Sequence, residues 1–170
     1  MVYGYKCFNG DMSNRYGKKF IVGKRYKVDG NIKFGVNGNG FHMCKNIVDV
    51  FRYYDTGNDD FMLCEVIGSG KIVSYDDEYN GYYDMYCVEI IDIIRIIDRL
   101  EIINMVLEMN ENSVIRFIQL FKLSDDEIKL FRDKFEDNIY IMLALDYYQY
   151  GKLDVYDKYY KNGYVRRKKR

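Results

Sequence analysis

Gly38-Asn39-Gly40-Phe41-His42-Met43-Cys44-Lys45-Asn46-Ile47-Val48-Asp49-Val50-Phe51-Arg52-Tyr53-Tyr54 decides the fold class. The glycines read as a turn, and Phe41 to Cys44 as a short buried strand. Asn46 is a helix N-cap by type. Behind it Ile47, Val50, Phe51 and Tyr54 follow the i, i+3, i+4, i+7 spacing of one helical face. A strand and an amphipathic helix this close together, with turn residues ahead of them, predict a mixed α+β domain. The stretch also holds the chain's one histidine.

Outward from it, the first hundred residues read as short strands and turns. Val2, Tyr5, Cys7 and Phe8 predict a first strand, closed by Asn9-Gly10-Asp11. Phe20 to Tyr26 predicts a strand or turn pair. Asp29-Gly30 is a hairpin signal before Asn31-Ile32-Lys33-Phe34. Phe61 to Ile67 predicts a strand that Gly68-Ser69-Gly70 should break, with Lys71 to Tyr75 as the next one. Asp76 to Tyr83 reads as a polar turn, and a last strand starts near Met85. The isoleucine-rich run from Ile90, with a polar residue every third position, predicts a buried strand to about Ile97.

From about residue 99 the pattern turns helical. Val114, Phe117, Ile118 and Phe121 form a stripe behind Asn112-Ser113. Ser124-Asp125-Asp126-Glu127 is a capping box opening a helix whose face carries Ile128, Phe131 and Phe135. Another helix runs from Asp137 to about Tyr150, with Gly151 as its natural end. A last one spans about 154 to 162. The expected organisation is a mostly antiparallel sheet domain with one helix over 1–104, a helical segment over 105–165 and a basic tail over 166–170.

The composition bounds the class. A 170-residue chain, 48% apolar and 17% aromatic, can bury a core of its own. It has no proline or tryptophan, one alanine and one threonine, while Ile, Asn, Lys, Asp and Tyr abound. Ile, Asn, Lys and Tyr use AT-rich codons, so the bias points to an AT-rich genome. The 26 basic and 26 acidic side chains cancel. Because Arg166, Arg167, Lys168, Lys169 and Arg170 close the chain, everything before them is net negative, which does not favour nucleic-acid binding by the body. Ile90 to Ile103 is the most apolar stretch, yet Asp92, Arg95, Asp98, Arg99 and Glu101 interrupt it, so no membrane span is expected. Cys7, Cys44, Cys64 and Cys87 form no Cys-x-x-Cys pair, and no apolar signal segment opens the chain. The expectation is an intracellular protein with reduced thiols.

Few residues carry candidate chemistry. His42 and Cys44 alternate on one strand and so share a face. They could form a metal half-site or a Cys/His pair, completed by Cys7, Cys64 or Cys87, against the plainer reading of a core strand. Gly35 to Gly40 is glycine-rich but precedes a strand, so it reads as a hairpin loop rather than a phosphate cradle. Tyr147, Tyr150, Tyr156, Tyr159 and Tyr160 crowd the last helices, and tyrosine suits interfaces. The tail could serve nucleic acid or nuclear import. No cofactor signature is present.

Three resemblances add to this. Gly4-Tyr5-Lys6-Cys7-Phe8-Asn9, Gly23-Lys24-Arg25-Tyr26, Asp29-Gly30-Asn31-Ile32-Lys33, Gly40-Phe41-His42-Met43-Cys44-Lys45-Asn46, Asp49 to Tyr54 and Glu65-Val66-Ile67-Gly68 together resemble an uncharacterised domain of giant viruses, phages and some bacteria, over about residues 4 to 97. Leu143-Ala144, Gly151-Lys152-Leu153-Asp154-Val155, Tyr159 and Asn162-Gly163 resemble a degenerate ankyrin repeat. The order of a first strand, the Gly-Phe-His strand, a tyrosine-ended helix and a strand with Glu65 resembles ADP-ribosyltransferase folds. That last resemblance implies Glu65 or Glu89 as the catalytic glutamate, which would orient the attacking nucleophile, while His42 is a catalytic candidate only through the Cys/His pair above.

The reading is therefore a viral protein of the host cytoplasm, with nucleus or virion as alternatives. It is expected to act as a non-catalytic protein–protein interaction module or to self-associate. An ADP-ribosyltransferase-like enzyme or its silent relative is the first alternative. A nucleic-acid-associated virion component acting through the tail is the second.

Overall fold

The computed structural model describes residues 1–34, 39–54, 60–76 and 84–151, with side chains for all of them except 75, 76 and 84. The chain divides into two compact units, Met1–Ile102 and Ile103–Arg170. The architecture is α+β, with an antiparallel five-stranded sheet in the first part and several helices in the second.

The first unit holds β1 (Val2–Asn9), β2 (Arg25–Lys27), β3 (Phe41–Cys44), α1 (Ile47–Val50), β4 (Phe61–Asp76) and β5 (Asp84–Ile97). The strand order is β2-β5-β3-β1-β4, and β4 also pairs with β5, so four strands close into a ring. β1 runs along β4 from Val2 opposite Gly68 to Asn9 opposite Phe61. It meets β3 at Tyr5 opposite Cys44. Gly4 permits that approach, since a Cβ there would collide with the Cys44 carbonyl oxygen and the Met43 side chain.

Phe8, Phe41, Met43, Cys64, Val66, Val88, Ile91 and Ile93 form one buried cluster with Phe20, the inward side of β5 changing between Val88 and Ile91 where its pairing with β4 shifts. The rings of Phe8 and Phe20 lie 4.8 Å apart, as do those of Phe20 and Tyr26. The other face of β1 and β3 is covered by α1, whose Ile47 and Val48 are fully buried. Asn46 caps α1 as its residue type predicts, accepting from the Val48 amide at 3.1 Å.

Four details differ from expectation. The helix does not reach Tyr54 but gives way at Phe51, whose ring turns to meet Phe61 at 5.9 Å. Residues 31–34 form no strand. Gly30 turns at φ +108°, and Ile32, buried, makes a single bridge to Asn39. The Gly68-Ser69-Gly70 stretch does not break β4. The strand runs through, the irregularity being a register shift against β5 between Ser69 and Ile72 with Gly70 at φ +74°. Glycine here marks a bulge rather than an end. Accordingly the strand near Met85 and the isoleucine run are one strand, β5. The polar turn expected up to Tyr83 lies in part, over 77–83, outside the described residues, as does the loop at 35–38.

Helix α2 (Arg99–Leu107) crosses the division between the units. The second unit continues with α3 (Glu111–Leu120), α4 (Asp125–Lys134) and α5 (Ile139–Tyr150). The α3 cap is Asn110, two residues earlier than Asn112, and its side chain accepts from the Ser113 amide at 3.0 Å. The Ser124 box forms in both directions. Ser124 Oγ accepts from the Glu127 amide at 3.3 Å, and Glu127 accepts from the Ser124 amide at 2.8 Å. Phe117, Phe121 and Phe131 stack in the core, with Phe117 4.5 Å from Phe121 and 6.0 Å from Phe131. Gly151 ends α5 at φ +77°. The helix expected over 154–162 lies outside the described residues.

Candidate functional site

His42 and Cys44 stand on one face of β3, as alternation requires, but in different surroundings. Cys44 is buried, while His42 is exposed, opposite Cys87 and stacked on Phe34 at 5.1 Å. Burial, and then the charges of Lys6 and Arg15, push the His42 pKa down. All four cysteines are buried free thiols. Burial raises each of them, to about 12 for Cys44 and about 11 for Cys64. A thiol needs the opposite shift to act as nucleophile or metal ligand at neutral pH. Among the described residues no group of three His, Cys, Asp or Glu side chains is placed to hold a metal ion.

The two glutamates are engaged. Glu65 Oε2 lies 2.7 Å from Arg95 Nε on the facing strand, and the same guanidinium is held by both oxygens of Glu101, at 2.7 and 2.8 Å. Glu89 accepts from the Lys71 amide at 3.0 Å and pairs with Lys27 at 3.2 Å. The backbone amide of Lys71, then Lys27, holds its carboxyl below the ordinary range. A glutamate that orients a nucleophile works ionised, so it is the ion pairing of both carboxylates, not a low pKa, that weighs against an open site.

A feature the sequence reading passed over lies beside the aromatic cluster. Lys6 donates from Nζ to the His42 carbonyl at 2.8 Å and rests 5.6 Å from the Phe8 ring centroid. Although part of its side chain reaches solvent, burial of the ammonium lowers its pKa. Lys18 stands over three rings, 5.6 Å from Phe20, 5.7 Å from Tyr26 and 5.5 Å from Phe41. Arg15 stacks on Tyr16 at 4.8 Å. Tyr54 is pushed up to about 12, by burial first.

The domain of unknown function DUF7666 has a family model that matches residues 2–104. The chain belongs to the DUF7666 family. No curated protein matches it in sequence. The DUF7666 match contains the whole strand ring and the start of α2, and with them His42, Cys44, Glu65, Glu89 and the Lys6–Lys18 cluster.

Beyond the DUF7666 match, α5 buries Ile141, Leu145 and Asp146, the last paired with Arg132. Tyr148 is structural. Its hydroxyl accepts from the Leu123 amide at 2.8 Å. Tyr147 and Tyr150 face outward, 44% and 56% exposed, and Tyr140, one turn pair earlier on the same side, is 62% exposed. Spacing of 140, 147 and 150 around a helix would have added Tyr140 to the expected surface. Tyr156, Tyr159, Tyr160 and the basic residues 166–170 lie outside the described residues. An open hollow of about 460 Å³ on this unit is lined by Glu111, Asp133, Glu136 and Asp137 among others, with no cysteine, serine, threonine or histidine in its lining. No helix among the described residues is long and apolar enough to cross a membrane.

Proposed function

We propose that the protein is a non-catalytic protein–protein interaction module whose contact surface is the outer face of α5. One observation carries the reading. The sequence of α5, IYIMLALDYYQY, has a single charged residue, Asp146, and that one is buried. Its exposed positions are Ile139, Tyr140, Tyr147, Gln149 and Tyr150, with no Lys or Glu among them. A helix apolar on every side is normally covered on every side, and tyrosine offers broad contact area with a polar edge.

The state of the candidate catalytic groups supports the same reading. The thiols are buried and raised, and Glu65 and Glu89 are held by cations. The enzyme alternative, with Glu65 as the acid of an ADP-ribosyltransferase-like site, requires Arg95 to release it. The degenerate ankyrin repeat, giant-virus origin and host-cytoplasm placement belong to this proposal and rest on the sequence. Ankyrin-type helices also act through their exposed faces. The nucleic-acid alternative rests on residues 166–170 alone.

Sedimentation of the full chain across a concentration series tests self-association. Affinity capture, with and without nuclease, tests for a foreign partner. The wild-type chain is to be run beside Tyr147→Ser/Tyr150→Ser. A complex retained under nuclease and lost in the double variant supports the reading. A monomeric wild type that captures nothing, or capture indifferent to both tyrosines, overturns it.

A further inference from the structure

We propose that Asn39 deamidates spontaneously through a ring closed with Gly40, and that the change loosens the segment covering Cys87. Two Asn–Gly pairs fall among the described residues, Asn9-Gly10 and Asn39-Gly40. In such a pair the backbone nitrogen of the glycine can attack the side-chain amide carbon, because no Cβ stands beside it. The N–C bond forms, and the side-chain nitrogen leaves as ammonia, taking the proton that the glycine nitrogen gives up. Water then opens the succinimide at one of its two carbonyls. The product is aspartate, or isoaspartate with the main chain running through the former side chain.

The fold treats the two pairs differently. The Gly40 N–H donates to Asn39 Oδ1 at 3.1 Å, so the attacking nitrogen stands beside the carbon that bears this oxygen. Asn39 is exposed, which admits the water that the second step consumes. Its backbone is held in place, the N–H donating to the Asn31 carbonyl at 3.1 Å and the carbonyl accepting from the Lys33 amide at 3.2 Å. Gly10 is engaged elsewhere, its N–H donating to the Asp60 carbonyl at 3.1 Å. Asn9 Nδ2 donates to Ser13 Oγ at 2.9 Å. Attack by Gly10 must first break its bond to Asp60, which contributes about 1 kcal/mol net.

Residues 31–33 and 39 form a strap over Cys87. Ile32 is buried and bridges to Asn39. Cys87 is fully buried, and its thiol donates to the Lys33 carbonyl at 3.5 Å and the Asn39 carbonyl at 3.6 Å. Asn39 Nδ2 donates to the Asp29 carbonyl, which ties the strap to the residues ahead of it. Deamidation replaces that donor with a carboxylate, and two acceptors repel. Isoaspartate also adds a methylene to the main chain at the residue whose amide and carbonyl hold the strap. Both changes release the cover from the thiol.

Ageing of the full chain in mildly alkaline buffer, followed by peptide mass mapping with fragmentation, tests the site. Fragmentation separates Asn39 from Asn37, which lies outside the described residues. Asn39 should convert about fivefold faster than Asn9, the factor that about 1 kcal/mol gives. In denaturant, where only the shared Asn-Gly sequence remains, the two rates should converge. Cys87 should become reactive to a thiol reagent in step with conversion at position 39. It should stay silent in aged Asn39→Gln, whose longer side chain does not close the five-membered ring. Native conversion at Asn39 no faster than at Asn9, a ratio unchanged in denaturant, or a Cys87 that stays silent in the converted chain overturns the proposal.

Discussion

Glu65 and Arg95 face each other across β4 and β5, 2.7 Å apart, and Arg95 turns its two terminal nitrogens to Glu101 beyond the strand end. One guanidinium thus ties two strands to the first turn of α2. The second carboxylate meets a cation whose side chain is already fixed by the first, so its ordering penalty is reduced.

The network sets a pH dependence. Hydrogen bonds from Arg95 hold the Glu101 carboxyl below the ordinary glutamate range. A depressed acid contributes stability that is complete above its unfolded pKa and disappears as pH falls through its folded one. Glu101→Gln should therefore lower Tm at neutral pH, with the difference from wild type closing as the solution is acidified below the glutamate range. Melting curves over an acid series check it. A constant offset down to strong acid contradicts it.

The thiols should be silent in the native protein. Cys7, Cys44, Cys64 and Cys87 are buried, and each is shifted away from thiolate. A colourimetric thiol reagent should find almost nothing in native buffer and all four groups in denaturant. Rapid native reaction of any one would reveal an opening that this fold does not show.

The helical unit depends on its phenylalanine stack. Phe131 is fully buried and lies 6.0 Å from Phe117. Phe131→Ala should cost about 3–5 kcal/mol, read by denaturant unfolding. Ser124→Ala removes half of the capping box and should cost about 0.5–2 kcal/mol.

Exposed tyrosines should behave oppositely. Tyr147→Ser/Tyr150→Ser removes rings that are 44% and 56% exposed, so Tm should stay within a few degrees. Association, not folding, is the property expected to change. A collapse of Tm would place the two rings in a core.

Close approach at Gly4 gives a sharper mutational test. A Cβ there meets backbone, the Cys44 carbonyl, which cannot swing aside as a side chain could. Gly4→Val should separate β1 from β3 and lower Tm more than Gly23→Ala. At Gly23 nothing lies within contact of a Cβ, although its φ of +79° adds local strain.

The legible parts of the sequence were those written in local chemistry. Asn46 and Ser124 announce their caps because a cap is made by a side chain and the amides two or three residues on. Gly151 announces the end of α5 because glycine takes a φ of +77° without the strain a side chain would bring. The illegible parts depend on partners far along the chain. Nothing near Gly68-Ser69-Gly70 says that β5 will carry β4 across a bulge. Nothing near Phe51 says that its ring will pack on Phe61, ten residues on, where the helix ends. At the site level, Glu65 could be picked as an acid but its capture by Arg95, thirty residues away, is tertiary. Lys6 carried no signal at all, since a lysine on a strand ordinarily faces water.

The closed strand ring also fixes an order of events during synthesis. Val2 pairs with Gly68 and Phe41 with Val88, so the first strand made waits for partners translated much later. The helices from α3 onward contact one another over far shorter stretches of chain. Loops that long close slowly, while local helical contacts form fast. On the ribosome, the N-terminal half should stay open until β5 has emerged. Any assistance from chaperones would be needed there, before α3 has left the ribosome.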